Sequence, residues 1–263
     1  MNNVTTRPIH FSSQVDKVVK RLEALGLKRV AGNDADTWQV FAAPAGGRIG
    51  IHQVDPGSEL DGVSRLGFEV PDGEALQAIA ASFKDNPGGA TTAFADTTHG
   101  KALKVKTIDG CKFLVDVADN EPPVTPHTPG VEVAQMWFTG NTPAAREVLL
   151  RLGATELVTT EGLGWDDCRL PSGGRTQLHD FSDDARVSIG FMSALPLEQL
   201  KHQVDLAGDD GSIVDEAWGR YLDLAPVTVT KPDTGLDGEL TWINEEKQDY
   251  YGYQVHQLPT ARS

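Results

Sequence analysis

The chain has 263 residues, with 38 acidic against 23 basic side chains, a formal net charge of −15 and 39% hydrophobic residues. That length carries one large domain or two ordinary ones, and that hydrophobic fraction supports a packed core. A negative field of this size repels phosphate backbones and anionic lipid, which argues against nucleic acid or a membrane as partner. No apolar run approaches the ~20 residues of a bilayer helix, and residues 1–7 lack the apolar stretch of a signal segment, so a soluble, cytoplasmic protein is expected.

In chain order, residues 7–12 read as a strand. An apolar stripe follows at 15, 18, 19, 22 and 25, the spacing of an amphipathic helix, closed by Gly26. Short strands are expected at 37–42 and 48–54, joined by Pro44-Ala45-Gly46-Gly47. The order then restarts with a strand at 65–70, a helix at 73–83, and strands near 91–95, 102–107 and 112–117. The two cysteines, Cys111 and Cys168, have no histidine at a telling spacing and read as small core residues.

Residues 121–130 hold four prolines and read as a semi-rigid linker between halves 1–120 and 131–263. His127 is expected in that loop, and His99 in another. The second half predicts a strand at 133–138, a helix at 143–152, strands at 165–170, 175–181 and 186–192, and a helix at 197–206. Closing strands are expected at 227–230, 240–244 and 253–258. Residues 209–224 look like an insertion with a short helix near Ala217-Trp218.

The halves repeat one another. A shift of 127 positions aligns Phe11 with Phe138, Leu25-Gly26 with Leu152-Gly153, Trp38 with Trp165, and Pro44 with Pro171. It also aligns Gly46-Gly47-Arg48 with Gly173-Gly174-Arg175, and His52 with His179, without a gap. Each half thus holds two units of strand, helix and two or three strands. Units of about 55 residues bury too little alone and must pair, enclosing a cavity between curled sheets.

This order, with Leu25-Gly26, the Pro-x-Gly-Gly-Arg turns, Leu66-Gly67-Phe68-Glu69-Val70 and Asp109-Gly110-Cys111-Lys112-Phe113, resembles the vicinal oxygen chelate superfamily. That superfamily includes glyoxalases, bleomycin-resistance proteins and extradiol dioxygenases. The resemblance implies an α+β fold of four βαβββ modules in two tandem domains, with curled mixed sheets and outer helices. It also implies a cavity that binds a small organic molecule, often with a divalent metal held by first and last strands of modules.

Carried over by position, the second half offers His179 and His256 as ligands for Zn²⁺, Ni²⁺ or Fe²⁺, with Asp180, Asp167 and Gln135 as candidates for a third. In the first half, strand alternation puts His10 on the cavity side with His52 and Arg65, as an anion-accepting pocket or a hydrogen-bonded cluster, with Glu69 placed to neutralise Arg65. Trp137 and Trp218, Trp242, Tyr250, Tyr251 and Tyr253 make the second half richer in aromatics, pointing there for an apolar ligand or a wider core. Three functions stay open: a glyoxalase- or bleomycin-resistance-like binding protein, a metal-dependent lyase, isomerase or dioxygenase using His179 and His256, and a non-catalytic sequestration or scaffold protein. The internal duplication is compatible with a monomer or a homodimer.

Overall fold

The computed structural model describes residues 3–85, 89–97, 100–118, 129–154, 156–160, 164–180, 185–216, 219–225, 227, 242–245 and 253–257, with the backbone alone for 85, 156–160 and 253–257. The expected linker at 121–128, the loop histidines His99 and His127, the short helix near Ala217-Trp218, the strand at 228–230, and Tyr250 and Tyr251 lie outside the described residues.

The first half runs β1 (Thr5–Thr6), β2 (Ile9–Ser12), α1 (Val15–Ala24), β3 (Lys28–Gly32), β4 (Trp38–Ala42), β5 (Arg48–Gln53), β6 (Ser64–Arg65), β7 (Gly67–Val70), α2 (Gly73–Asp85), β8 (Ala90–Thr97), β9 (Gly100–Thr107) and β10 (Lys112–Val117). The second runs β11 (Val131–Thr139), α3 (Thr142–Arg151), β12 (Glu156–Thr160), β13 (Trp165–Arg169), β14 (Arg175–Asp180), β15 (Arg186–Ser193), α4 (Leu197–Leu206), β16 (Gly211–Glu216), β17 (Gly219–Leu224), β18 (Trp242–Glu245) and β19 (Tyr253–Gln257).

The helices form where the pattern predicts. Val15, Val18 and Leu22 bury one face of α1, and Gly26 turns the chain at φ 85°. Asn141 caps α3 by accepting the Ala144 amide at 3.2 Å, with Pro143 in the first turn, where a missing N–H costs nothing.

The second half forms one sheet in the order β16-β17-β18-β15-β11-β14-β13-β12-β19. The first half forms two, β3-β4-β5-β2-β6 and β1-β7-β10-β9-β8. These two run into one another at Arg7-Pro8. Proline has no N–H to give the ladder, so β1 and β2 separate there, while the Arg7 amide still donates to Gly67 O at 2.9 Å. Read across that break, the first-half order is the second-half order without β19. The mixed-sheet α+β modules expected from the sequence are therefore present.

Two expectations in the last module are corrected. Residues 211–224 are the hairpin β16–β17, paired in register from Gly211↔Leu224 to Glu216↔Gly219, and not an insertion. Of the expected closing strands, that at 240–244 is β18 beside β15, whereas that at 253–258, which carries His256, is β19 and pairs with β12 at the far edge of the sheet. The strands β3 and β12 had no periodic signal. Lys28 and Arg29 of β3 are exposed, so its alternation carries no apolar mark.

Helices from opposite halves share the cores. One cluster combines Val18 and Leu22 of α1 with Leu197, Leu200 and Val204 of α4; another joins Leu76 and Ile79 of α2 to Val148 and Leu149 of α3. The two Gly-Gly turns knit the halves by a reciprocal set of backbone bonds. Ala45 N donates to Val131 O and Val133 N to Gly46 O, both at 3.0 Å; 127 positions on, Ser172 N donates to Val4 O at 3.0 Å and Thr6 N to Gly173 O at 3.1 Å. The duplication thus behaves as an isologous dimer interface inside one chain.

Candidate ligand site

In-register neighbours on adjacent strands share a face. Trp38, His52 and Phe11 form one row on the face away from the helices, with His52 5.9 Å from the Trp38 ring and 5.5 Å from Phe11. The His52 Nδ1 lies 3.0 Å from Gln53 O, and the Arg65 guanidinium sits 5.2 Å from the Phe11 ring. The next row is Val40, Gly50 and Ile9. The Trp38 indole covers Gly50, where an added Cβ would stand 2.4 Å from Cη2.

Beneath that indole the first cup is plugged by charge. The Arg7 guanidinium stands 5.6 Å from the Trp38 ring, ion-pairs with Glu69 at 3.1 Å and hydrogen-bonds Asp116. Arg48 takes the other Glu69 oxygen. Among the described residues these two guanidinium groups and two carboxylates, each at most a tenth exposed, cancel formally.

The second half repeats the rim and changes the floor. Trp165, His179 and Phe138 form the matching row, with Phe138 5.4 Å from His179 and the His179 Nδ1 3.0 Å from Asp180 O. Where the first half has Val40, Gly50 and Ile9, the second has Asp167, Gln177 and Met136, followed by Ser188 on β15. Arg175, the repeat of Arg48, donates to Glu132 at 2.6 Å and to Asp167 Oδ2 at 3.0 Å, and Arg169 reaches Glu132 at 3.4 Å. Asp167 Oδ1 and Gln177 Oε1 are buried and have no hydrogen-bond partner among the described residues. Among the described residues the Gln177 amide nitrogen meets the Met192 sulfur, at 3.6 Å. Beside them the Trp242 indole covers Gly190, at 2.3 Å from an added Cβ.

The expected site residues fall in different places. His52 and Arg65 share the rim of the first cup. His10 does not join them, because it pairs in register with Ile51 on the opposite, helix-facing side. It is 1% exposed, bonds Ser64 Oγ at 3.1 Å, and burial lowers its pKa to about 4, offset by Asp61 and reinforced by Arg21. Glu69 neutralises Arg7 and Arg48 rather than Arg65. Trp137 is fully buried on the helix side, its indole N–H donating to Asp109 of the other half at 3.1 Å. Gln135 likewise faces inward, joining Gly67 N and Thr176 across the halves.

His256 lies on β19, opposite Leu157 of β12, and β12 pairs with β13 and β13 with β14, the strand of His179. Three strand spacings of ~4.8 Å separate the two backbones across the sheet. The His256 side chain lies outside the described residues. Asp180 is exposed, and Asp167 is engaged by Arg175. Among the described residues no three His, Cys, Asp or Glu side chains converge as ligands. In the first cup the buried carboxylates Glu69 and Asp116 are already held by Arg7 and Arg48. The described donor sets therefore do not fit a divalent ion.

Asp167 and Gln177 are what sequence reasoning missed as a pair. The signal was present at the repeat offset, where two floor positions change from apolar or absent side chains to acceptors.

No family model and no curated protein matches the chain. Solved structures do. Catechol 2,3-dioxygenase is 14% identical with a TM-score of 0.56, covering 100% of this chain and 95% of that one. The Mn(II)-bound glyoxalase from Novosphingobium aromaticivorans is 13% identical with a TM-score of 0.55, covering 95% and 84%. A variant of homoprotocatechuate 2,3-dioxygenase from B. fuscum, solved with HPCA, is 15% identical with a TM-score of 0.57, covering 95% and 72%. The chain shares its fold with these dioxygenase and glyoxalase structures, as the sequence resemblance implied.

Proposed function

We propose that this protein is a glyoxalase- or bleomycin-resistance-like binding protein that takes a small organic molecule in the cup of its second half, while the first cup is a closed structural copy. The observation that carries this reading is the divergence at one repeat offset: Val40 and Gly50, covered by Trp38, against Asp167 and Gln177, whose buried acceptors lack partners among the described residues. A desolvated acceptor left unpaired costs about 1–3 kcal/mol, a cost a bound donor relieves. The rim above this floor, Trp165, His179 and Phe138, is half-buried and supplies apolar contact area.

A fragment screen followed by Trp165→Phe and Trp38→Phe tests the reading. Binding that survives Trp38→Phe and weakens with Trp165→Phe supports it; the reverse pattern refutes it. The competing reading is lyase, isomerase or dioxygenase chemistry on a divalent metal through His179 and His256, with the support of fold neighbours such as the Mn(II)-bound glyoxalase. Metal content of the purified protein, and its change on His179→Ala and His256→Ala, separates the two. A monomer is the expected state, since the duplication already forms the pseudo-symmetric interface.

A further inference from the structure

Resting on the assignment of the second cup as the binding site, we propose that its floor recognises a neutral molecule with an apolar body and a primary carboxamide or urea head, whose two N–H bonds reach Asp167 Oδ1 and Gln177 Oε1.

Three observations converge. The first is spacing. Asp167 and Gln177 are direct partners on the antiparallel pair β13–β14, so their Cβ atoms stand roughly 4.5–5.5 Å apart on one face. One NH₂ group, with two N–H bonds diverging by about 120° and acceptors about 2.9 Å away, spans two oxygens about 5 Å apart. A lone hydroxyl donates once and leaves the second oxygen unpaired.

The second is charge. Among the described residues Arg175 and Arg169 are matched by Glu132 and Asp167, so this set of four is formally neutral. An added cation would be buried without a counter-charge, and a carboxylate would set acceptor against acceptor. A neutral donor fits both constraints.

The third is surroundings. Met136 and Met192 lie on the same face, Trp242 covers Gly190 alongside, and Trp165 and Phe138 form the rim, which suits an aromatic or aliphatic body. The first half makes the contrast, since its floor is Val40 and Gly50 and its own Trp38 occupies the space.

Titration calorimetry on the full chain with three isosteric probes tests this: benzamide, acetophenone, whose methyl replaces the NH₂, and benzoate. Benzamide is expected to bind at least ten-fold more tightly than either. Gln177→Leu is expected to keep the fold, raise Tm by removing an unpaired buried oxygen, and bring benzamide and acetophenone to equal affinity. Asp167→Asn is expected to narrow the same preference, which keeps the test open if the leucine variant fails to fold. Equal binding of benzamide and acetophenone by the wild type, with Trp165→Phe weakening both, overturns the donor recognition and leaves the cup standing. No binding by any probe up to ten millimolar overturns both.

Discussion

Gly46 and Gly173 meet back to back at the join between the halves: a Cβ built on Gly46 falls 3.1 Å from the Gly173 α-carbon, and one built on Gly173 falls 3.0 Å from that of Gly46. The next pair, Gly47 and Gly174, is as close, at 3.0 Å in both directions. All four have positive φ, so both the turn and the contact demand glycine.

Gly174→Ala brings its methyl to 2.5 Å from Thr6 Cβ, against backbone held by the reciprocal bonds, at φ 81°. Backbone strain and overpacking together predict a loss of about 3 kcal/mol in urea unfolding. Gly57→Ala, at φ 83° with nothing within 4 Å, is the control and is expected to cost about 1 kcal/mol.

Arg7 holds Glu69 and Asp116 in a buried cluster. Arg7→Met strands a buried carboxylate and is expected to cost about 3–5 kcal/mol. Adding Asp116→Leu removes the stranded charge and is expected to recover part of that loss. A double-mutant cycle in urea measures the coupling, and strictly additive losses would contradict the buried network.

His10 makes stability depend on pH. Its folded pKa of about 4 lies below the ordinary 6.5, so between those values the unfolded chain binds more protons than the folded one. Stability from this group is fully present above 6.5 and is lost as pH falls towards 4. Acidification from pH 7 to pH 5 is expected to remove about 2 kcal/mol through this residue, seen as a lower urea midpoint. A variant that keeps a neutral polar ring-sized group, His10→Gln, is expected to flatten that slope.

Burial, aided by Asp109, pushes the Cys111 thiol up to about 12, and burial also raises Cys168. Neither is a thiolate at pH 8, so reaction with a disulfide reagent is expected to proceed only as fast as the chain opens. Rapid labelling of either cysteine in the folded protein would contradict the burial described.

The repeat and the module order were legible because Trp, Pro, Gly and His mark turns and rims that both halves need. The Gly-Gly turns were visible as motifs, but their mutual contact was not, since it joins residues 127 positions apart through a symmetry no local pattern encodes. Strand alternation put His10 on the cavity side with His52 and Arg65 because it could not tell the helix face from the cup face, as both hold polar groups. The strand at 240–244 was foreseen, but the hairpin β16–β17 was read as an insertion because it lacks strong apolar alternation, with Ser212, Asp215 and Glu216 exposed, and the aromatic C-terminal stretch imitated the ligand-bearing strand.

The most direct test of the central claim uses protein labelled with 5-fluorotryptophan, titrated with benzamide and followed by ¹⁹F NMR, with lines assigned by single Trp→Phe variants. The resonances of Trp165 and Trp242 are predicted to move saturably while that of Trp38 stays fixed. Movement of Trp38 with Trp165 and Trp242 unchanged would place binding in the first cup and contradict the account.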